Sequence, residues 1–163
     1  RTGDPYEGLT VVATPSPDGV RTRIPAPDGS VVLGVPHVTM TVTRLDAGTD
    51  TGANIDARTD TGANLAADPC TQVYVFSKLI DDDGSGRQLV IDEQATPMCF
   101  SVRAGESEEK SFDLAAVAWR VVAGHKLFYE VSATSTDFAA SREASTSTVS
   151  ARVKVPVVAR AAA

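Results

Sequence analysis

The sequence predicts an all-β fold, two antiparallel sheets packed as a sandwich with little helix. Three observations carry that reading. Runs rich in Val and Thr are short and are punctuated by Gly, Pro, Asp and Asn, the residues that turns use. Val38, Met40 and Val42 alternate with Thr39, Thr41 and Thr43, the period of a strand buried on one side. Residues 117–138 hold a strand-like run, a turn at Gly124 and His125, and an alternating run in which Leu127, Tyr129, Val131 and Ala133 interleave with Phe128, Glu130 and Ser132.

Taken in order, residues 9–13 form the first apolar run, closed by Pro15, Pro17, Asp18 and Gly19. Pro25, Pro27, Asp28 and Gly29 mark a second turn before a strand at 30–33. The alternating strand follows at 38–43. Residues 73–80 are apolar on both faces apart from Ser77 and Lys78, as a central strand would be. Asp81 to Gly86 are turn-forming, and residues 88–91 return from them. Residues 107–119 are ambiguous on propensity alone. Ser107, Glu108 and Glu109 would cap a helix carrying Phe112, Ala115, Ala116 and Trp119 on one side, while strand-turn-strand fits equally. Strands at 118–122 and 126–134 flank the Gly-His turn. The last run puts Val149, Ala151, Val153, Val155 and Val157 on one face and Ser150, Arg152 and Lys154 on the other, and Pro156 restricts its end to a strand terminus or an edge.

A chain of 163 residues is long enough for one domain with a real core. The reading is a single β-sandwich over 1–163, with its core at about 8–158, a long polar insertion at 46–69 and frayed termini. The insertion holds a duplicated Thr-Asp-Thr-Gly-Ala-Asn at 49–54 and 59–64, too few copies for a solenoid. No apolar run is long enough to span a bilayer as a helix, so no transmembrane segment is expected. A net charge of −6 without a basic stripe argues against nucleic-acid binding.

Candidate sites are few. Asp81, Asp83, Ser85, Gly86 and Asp92 match the spacing of a calcium loop, but the flanks read as strands, and a polar hairpin turn is the plainer account. Cys70 and Cys99 become neighbours if Ile80 faces Arg87 across that turn and the pairing persists. A disulfide and a pair of reduced core thiols both stay open. A bond would favour the cell envelope or secretion, reduced thiols the cytoplasm. No nucleophile elbow, Walker A motif or Cys-x-x-Cys occurs, and His37 and His125 are too few for a zinc site without carboxylates. No cofactor is expected. His125 reads as a turn residue bonded to nearby backbone, or as part of an interface. Trp119 reads as core packing, or as a platform for a ligand such as a sugar.

Gly34-x-Pro36 with His37, the strand Phe76-x-Lys78-Leu79 with Asp82, Asp83 and Gly84, Trp119 with Arg120, and Gly124-His125-Lys126-Leu127 occur in an order that resembles a known domain. It is the C-terminal non-catalytic jelly-roll of the X-prolyl dipeptidyl peptidase and cocaine esterase-like (S15) hydrolases. Similar domains are appended to some bacterial ABC-transporter ATPase chains and acyl esterases. The resemblance covers about residues 31–155; the duplicated insertion and both cysteines depart from the usual pattern. It implies a galactose-binding-like jelly-roll, and it decides residues 107–119 in favour of strand-turn-strand. It further implies an accessory role: the partner is an α/β-hydrolase or other catalytic domain of the same polypeptide, and this chain supplies no nucleophile, acid or base. A transporter-ATPase accessory domain and a free ligand-binding module are the alternatives.

Overall fold

The computed structural model describes residues 15–45, 73–135 and 146–159. The expected strand at 9–13, the insertion at 46–69 and Cys70 lie outside them. Among the described residues there are eleven strands and one short 3-10 turn. They are β1 (Val20–Ile24), β2 (Val31–Gly34), β3 (His37–Arg44), β4 (Val73–Asp82), β5 (Gln88–Val90), β6 (Thr96–Phe100), β7 (Ser107–Asp113), β8 (Val117–Arg120), β9 (Lys126–Ser132), β10 (Ser147–Lys154) and β11 (Val157–Val158), with the 3-10 turn at Ile91–Glu93. All pairings are antiparallel.

The first sheet runs β1-β9-β4, and β4 carries both β5 and β6 on its far edge. The central place expected for residues 73–80 is therefore correct, and β4 extends to Asp82. The hairpin register is not as expected. Asp82, not Ile80, faces the returning strand first, opposite Gln88. The pairing also does not persist. Ile80 lies opposite Val90 but Ser77 lies opposite Thr96, so three steps along β4 are matched by six on the return. The 3-10 turn absorbs the difference, with Asp92 in the left-handed region at φ 55. As a result Cys99 stands opposite Tyr74, so the register from which proximity of the two cysteines was reasoned does not exist.

The second layer is a three-stranded sheet broken across its middle. The order β10-β3-β7 is continued strand for strand by β11-β2-β8. The break follows from Pro36 and Pro156, which have no N–H for a ladder. Their carbonyls still bridge it: Leu33 N donates to Pro156 O at 3.0 Å and Leu114 N to Pro36 O at 2.9 Å. Gly34 at φ 126 makes the bend, and a Cβ there would sit 3.2 Å from Pro156 Cγ. Residues 107–119 are strand-turn-strand, with no helix.

Val38, Met40 and Val42 of β3 pack against Val75 and Leu79 of β4, Leu127 and Tyr129 of β9, and Phe100 of β6. This is one apolar layer between two sheets. The sandwich is closed along β6 and β7. There Lys110 Nζ donates to Cys99 O at 2.7 Å and lies 5.3 Å above the Phe100 ring, and Glu108 accepts from Ser101 N at 2.8 Å. Along β1 and β10 it gapes.

Two strands escaped the sequence reading. β1 (VRTRI) has arginines on its outer face, and β6 (TPMCF) contains a proline, so neither shows a clean apolar period. The expected strand at 118–122 is shifted to Val117–Arg120, and the strand at 126–134 stops at Ser132.

Candidate functional site

Three of the residues singled out as candidates, Asp81, Trp119 and His125, meet at one end of the sandwich. That carboxylate is the last inward-facing side chain of β4 and lies opposite Leu127 of β9. It is buried, and both of its oxygens are engaged. Trp119 Nε1, from the inner face of β8 in the other layer, donates to Oδ2 at 2.8 Å. His125 Nδ1, from the turn before β9, lies 2.9 Å from Oδ1. The turn reaches this place because Gly124 takes φ 85 and His125 N closes onto Val122 O at 3.1 Å.

His125 therefore bonds a carboxylate from a different strand, where a bond to nearby backbone was expected for its ring. Trp119 is half-buried and packs on the core, as read from its isolation, and it also ties the two layers through Asp81. Its remaining surface lines a shallow cleft with Leu89, Asp92, Gln94 and Ala116.

An aspartate holding an imidazole by Nδ1 is half of a nucleophile-activating array. Among the described residues no hydroxyl or thiol hydrogen-bonds to the His125 ring; what the pair does structurally is tie the turn before β9 to β4.

The calcium residues do not converge. Asp81 faces inward. Asp83 accepts from Ser85 Oγ at 2.7 Å and Ser85 N at 2.8 Å, which holds its carboxyl below the usual 3.8. Asp82 lies lower too, through Gln88 and then Gly84 N. These are the bonds of a polar turn. Asp92 sits apart on the 3-10 turn, and the described residues bring together no group of three or more His, Cys, Asp or Glu able to hold a metal. Cys99 is half-exposed in β6.

A second polar cluster shows in the sequence only as Lys78, an exception in an apolar run. Arg21, Glu130 and Lys78 form one rung across β1, β9 and β4, on the outer face of the first sheet. Glu130 and Lys78 side chains are both 0% exposed, with Nζ 3.7 Å from Oε1. Arg21 Nε donates to Glu130 Oε2 at 2.8 Å. The loop before β1 closes over them. Ser16 N donates to Glu130 Oε1 at 2.9 Å, Lys78 Nζ donates to Ser16 Oγ at 2.7 Å, and Ser16 Oγ donates to Thr134 O at 2.8 Å. A serine beside a lysine invites a nucleophilic reading, but the Ser16 proton is committed to a carbonyl and the hydroxyl is buried. The cluster is a clamp. Its sequence signal was Lys78 inside an apolar strand, with Glu130 two strands away.

Comparison of the chain with protein-family models and with curated proteins finds no match.

Proposed function

We propose that this chain is a non-catalytic accessory domain of an X-prolyl dipeptidyl peptidase or acyl esterase-like serine hydrolase. In this reading it is a galactose-binding-like jelly-roll that packs on the catalytic domain and shapes substrate access. The resemblance in sequence supplies the family. The structural roles of its motif residues agree with it: Gly34 and Pro36 make the bend, Phe76 to Leu79 lie in the central strand, and Gly124 and His125 brace Asp81. The observation that carries a docking role is the outward face of the β11-β2-β8 half-sheet. Leu33 is 56% exposed and Val158 54%, and the register places Val31 and Ala118 on the same face beside them. An uncovered apolar sheet face is what a domain taken from its neighbour would show.

The test has two arms. The purified chain is offered X-prolyl peptide and short acyl ester substrates, and no turnover is expected; turnover lost on substitution within this chain would refute the reading. Leu33→Asp with Val158→Asp should leave the isolated chain folded but abolish its binding, by calorimetry, to the catalytic domain of its own polypeptide. Unchanged binding would move the docking face elsewhere.

One observation favours a second reading, a ligand-binding module: the indole of Trp119 borders a cleft that also presents Asp92 and Gln94. Trp119 is the single tryptophan, so quenching of its fluorescence by oligosaccharides would support that reading directly.

A further inference from the structure

The cleft beside Trp119 carries a charge as well as an aromatic ring. It lies between the end of β5, the 3-10 turn that follows it and the start of β8, and it is lined by Leu89, Val90, Asp92, Gln94, Ala116 and Trp119. Leu89 reaches it because it stands opposite Asp81, the acceptor of the indole N–H. That bond, at 2.8 Å, occupies the one donor an indole has and holds the ring between the two layers. Trp119 therefore presents only ring carbon to the cleft, and an indole is the best aromatic partner for a cation. The Asp81 carboxylate at Nε1 adds negative potential to that ring.

Asp92 is the one charged group lining the cleft among the described residues. It is exposed, and among the described residues no ion pair or hydrogen bond engages its carboxylate. Gln94 adds a carboxamide, and Leu89 and Ala116 give the cleft an apolar wall. No Lys or Arg lines it among the described residues. Arg120 follows Trp119 in β8 but stands opposite Val31, on the other face of the sheet.

We infer that this cleft binds a small quaternary ammonium ion. A primary ammonium would bring three N–H donors to a place with two acceptor side chains, Asp92 and Gln94. A trimethylammonium group brings none. Its methyls lie on Leu89, Ala116 and the indole, and its charge faces Asp92. An anion would meet the Asp92 carboxylate with no cation to offset it. This inference names a ligand class for the ligand-binding reading and rests on that reading; the docking face on the half-sheet plays no part in it.

The experiment is an NMR titration of the full chain with choline chloride, following the single indole N–H resonance, that of Trp119, against sodium chloride at matched ionic strength. Choline should shift the resonance saturably and bind about fivefold tighter than dimethylbutanol, its neutral isostere, the increment of one exposed cation–aromatic contact. Asp92 holds φ 55, a conformation that asparagine also adopts readily, so Asp92→Asn removes the charge and keeps the turn. It should weaken choline about threefold and leave the alcohol unchanged. Ala116→Arg, at an exposed position, should fold and abolish choline binding. Lipids carry the same headgroup, so phosphatidylcholine vesicles form a second arm. Co-sedimentation lost in Asp92→Asn would assign the headgroup to a lipid surface, and choline binding without co-sedimentation would assign a free ion. No response to choline, equal affinity for the alcohol, or an unchanged Asp92→Asn variant would each overturn the inference. Oligosaccharide binding without choline binding would overturn it and leave the ligand-binding reading standing, whereas no response to either would end both.

Discussion

Removing the Glu130 carboxylate tests how the buried rung holds the first sheet together. In Glu130→Leu the Lys78 ammonium stays at 0% exposure without its carboxylate, and Arg21, 26% exposed, can turn toward water. Ser16 N also loses its acceptor. Breaking a buried pair from one side costs about 3–5 kcal/mol, a large part of the ~5–15 kcal/mol available to a domain. Lys78→Met together with Glu130→Leu removes both desolvated charges, and such replacements are often close to neutral. The coupling between the two sites should therefore reach about 2–3 kcal/mol in a double-mutant cycle. Urea unfolding followed by Trp119 emission and circular dichroism gives each corner of the cycle, provided the dependence on urea is unchanged. A Glu130→Leu cost under about 1 kcal/mol, below the usual range for a buried pair, would refute the reasoning. Two single costs that simply add in the double variant would refute it too.

Other perturbations have equally definite outcomes. Gly34→Ala places a Cβ 3.2 Å from Pro156 Cγ at φ 126, and it should cost about 1–3 kcal/mol by thermal unfolding, because the backbone there strains any side chain. Asp81→Ala strips acceptors from Trp119 Nε1 and His125 Nδ1, and should cost about 1–3 kcal/mol and shift Trp119 emission. Burial pushes Tyr129 up to about 12, against the hydrogen bond with Ser77 that lowers it. Between its ordinary 10.0 and about 12 the unfolded chain loses that proton while the fold retains it, so stability should fall as pH rises through this window, and less so in Tyr129→Phe. On the acid side burial raises Asp18, but its hydrogen bonds from Thr134 and Ala133 together outweigh this and hold it below 3.8. Its contribution is complete above 3.8 and is lost as pH falls through the lower folded value, so Thr134→Val should flatten the acid limb of a stability-against-pH curve.

What could be read from the chain was local. The alternation of Val38, Met40 and Val42 reports one buried face, and each of the three is fully buried. The apolar run at 73–80 marked the centre of a sheet, and Gly124 with His125 marked a turn, because these properties depend on residues adjacent in sequence. The role of Lys78 did not, since its partner Glu130 is set by the register of β4 on β9. Alternation assigned Glu130 to the face opposite Leu127 and Tyr129, and that assignment is correct; solvent was the natural surroundings for such a face until the loop at Ser16 covered it. The turn at Ile91–Glu93 changed the register beyond any count of positions: an odd slip of three exchanges the inward and outward sets, and the flanking strands 88–90 and 96–100 are too short for their alternation to show it.

The sequence by itself determined the class of fold, since period-two burial and turn chemistry are written residue by residue. Tertiary structure alone decided which charges are buried together, how the proline-broken sheet bends, and that the sandwich closes along β7 yet opens along β10. Those outcomes depend on contacts between strands far apart in the chain, and no local pattern encodes which edge meets which.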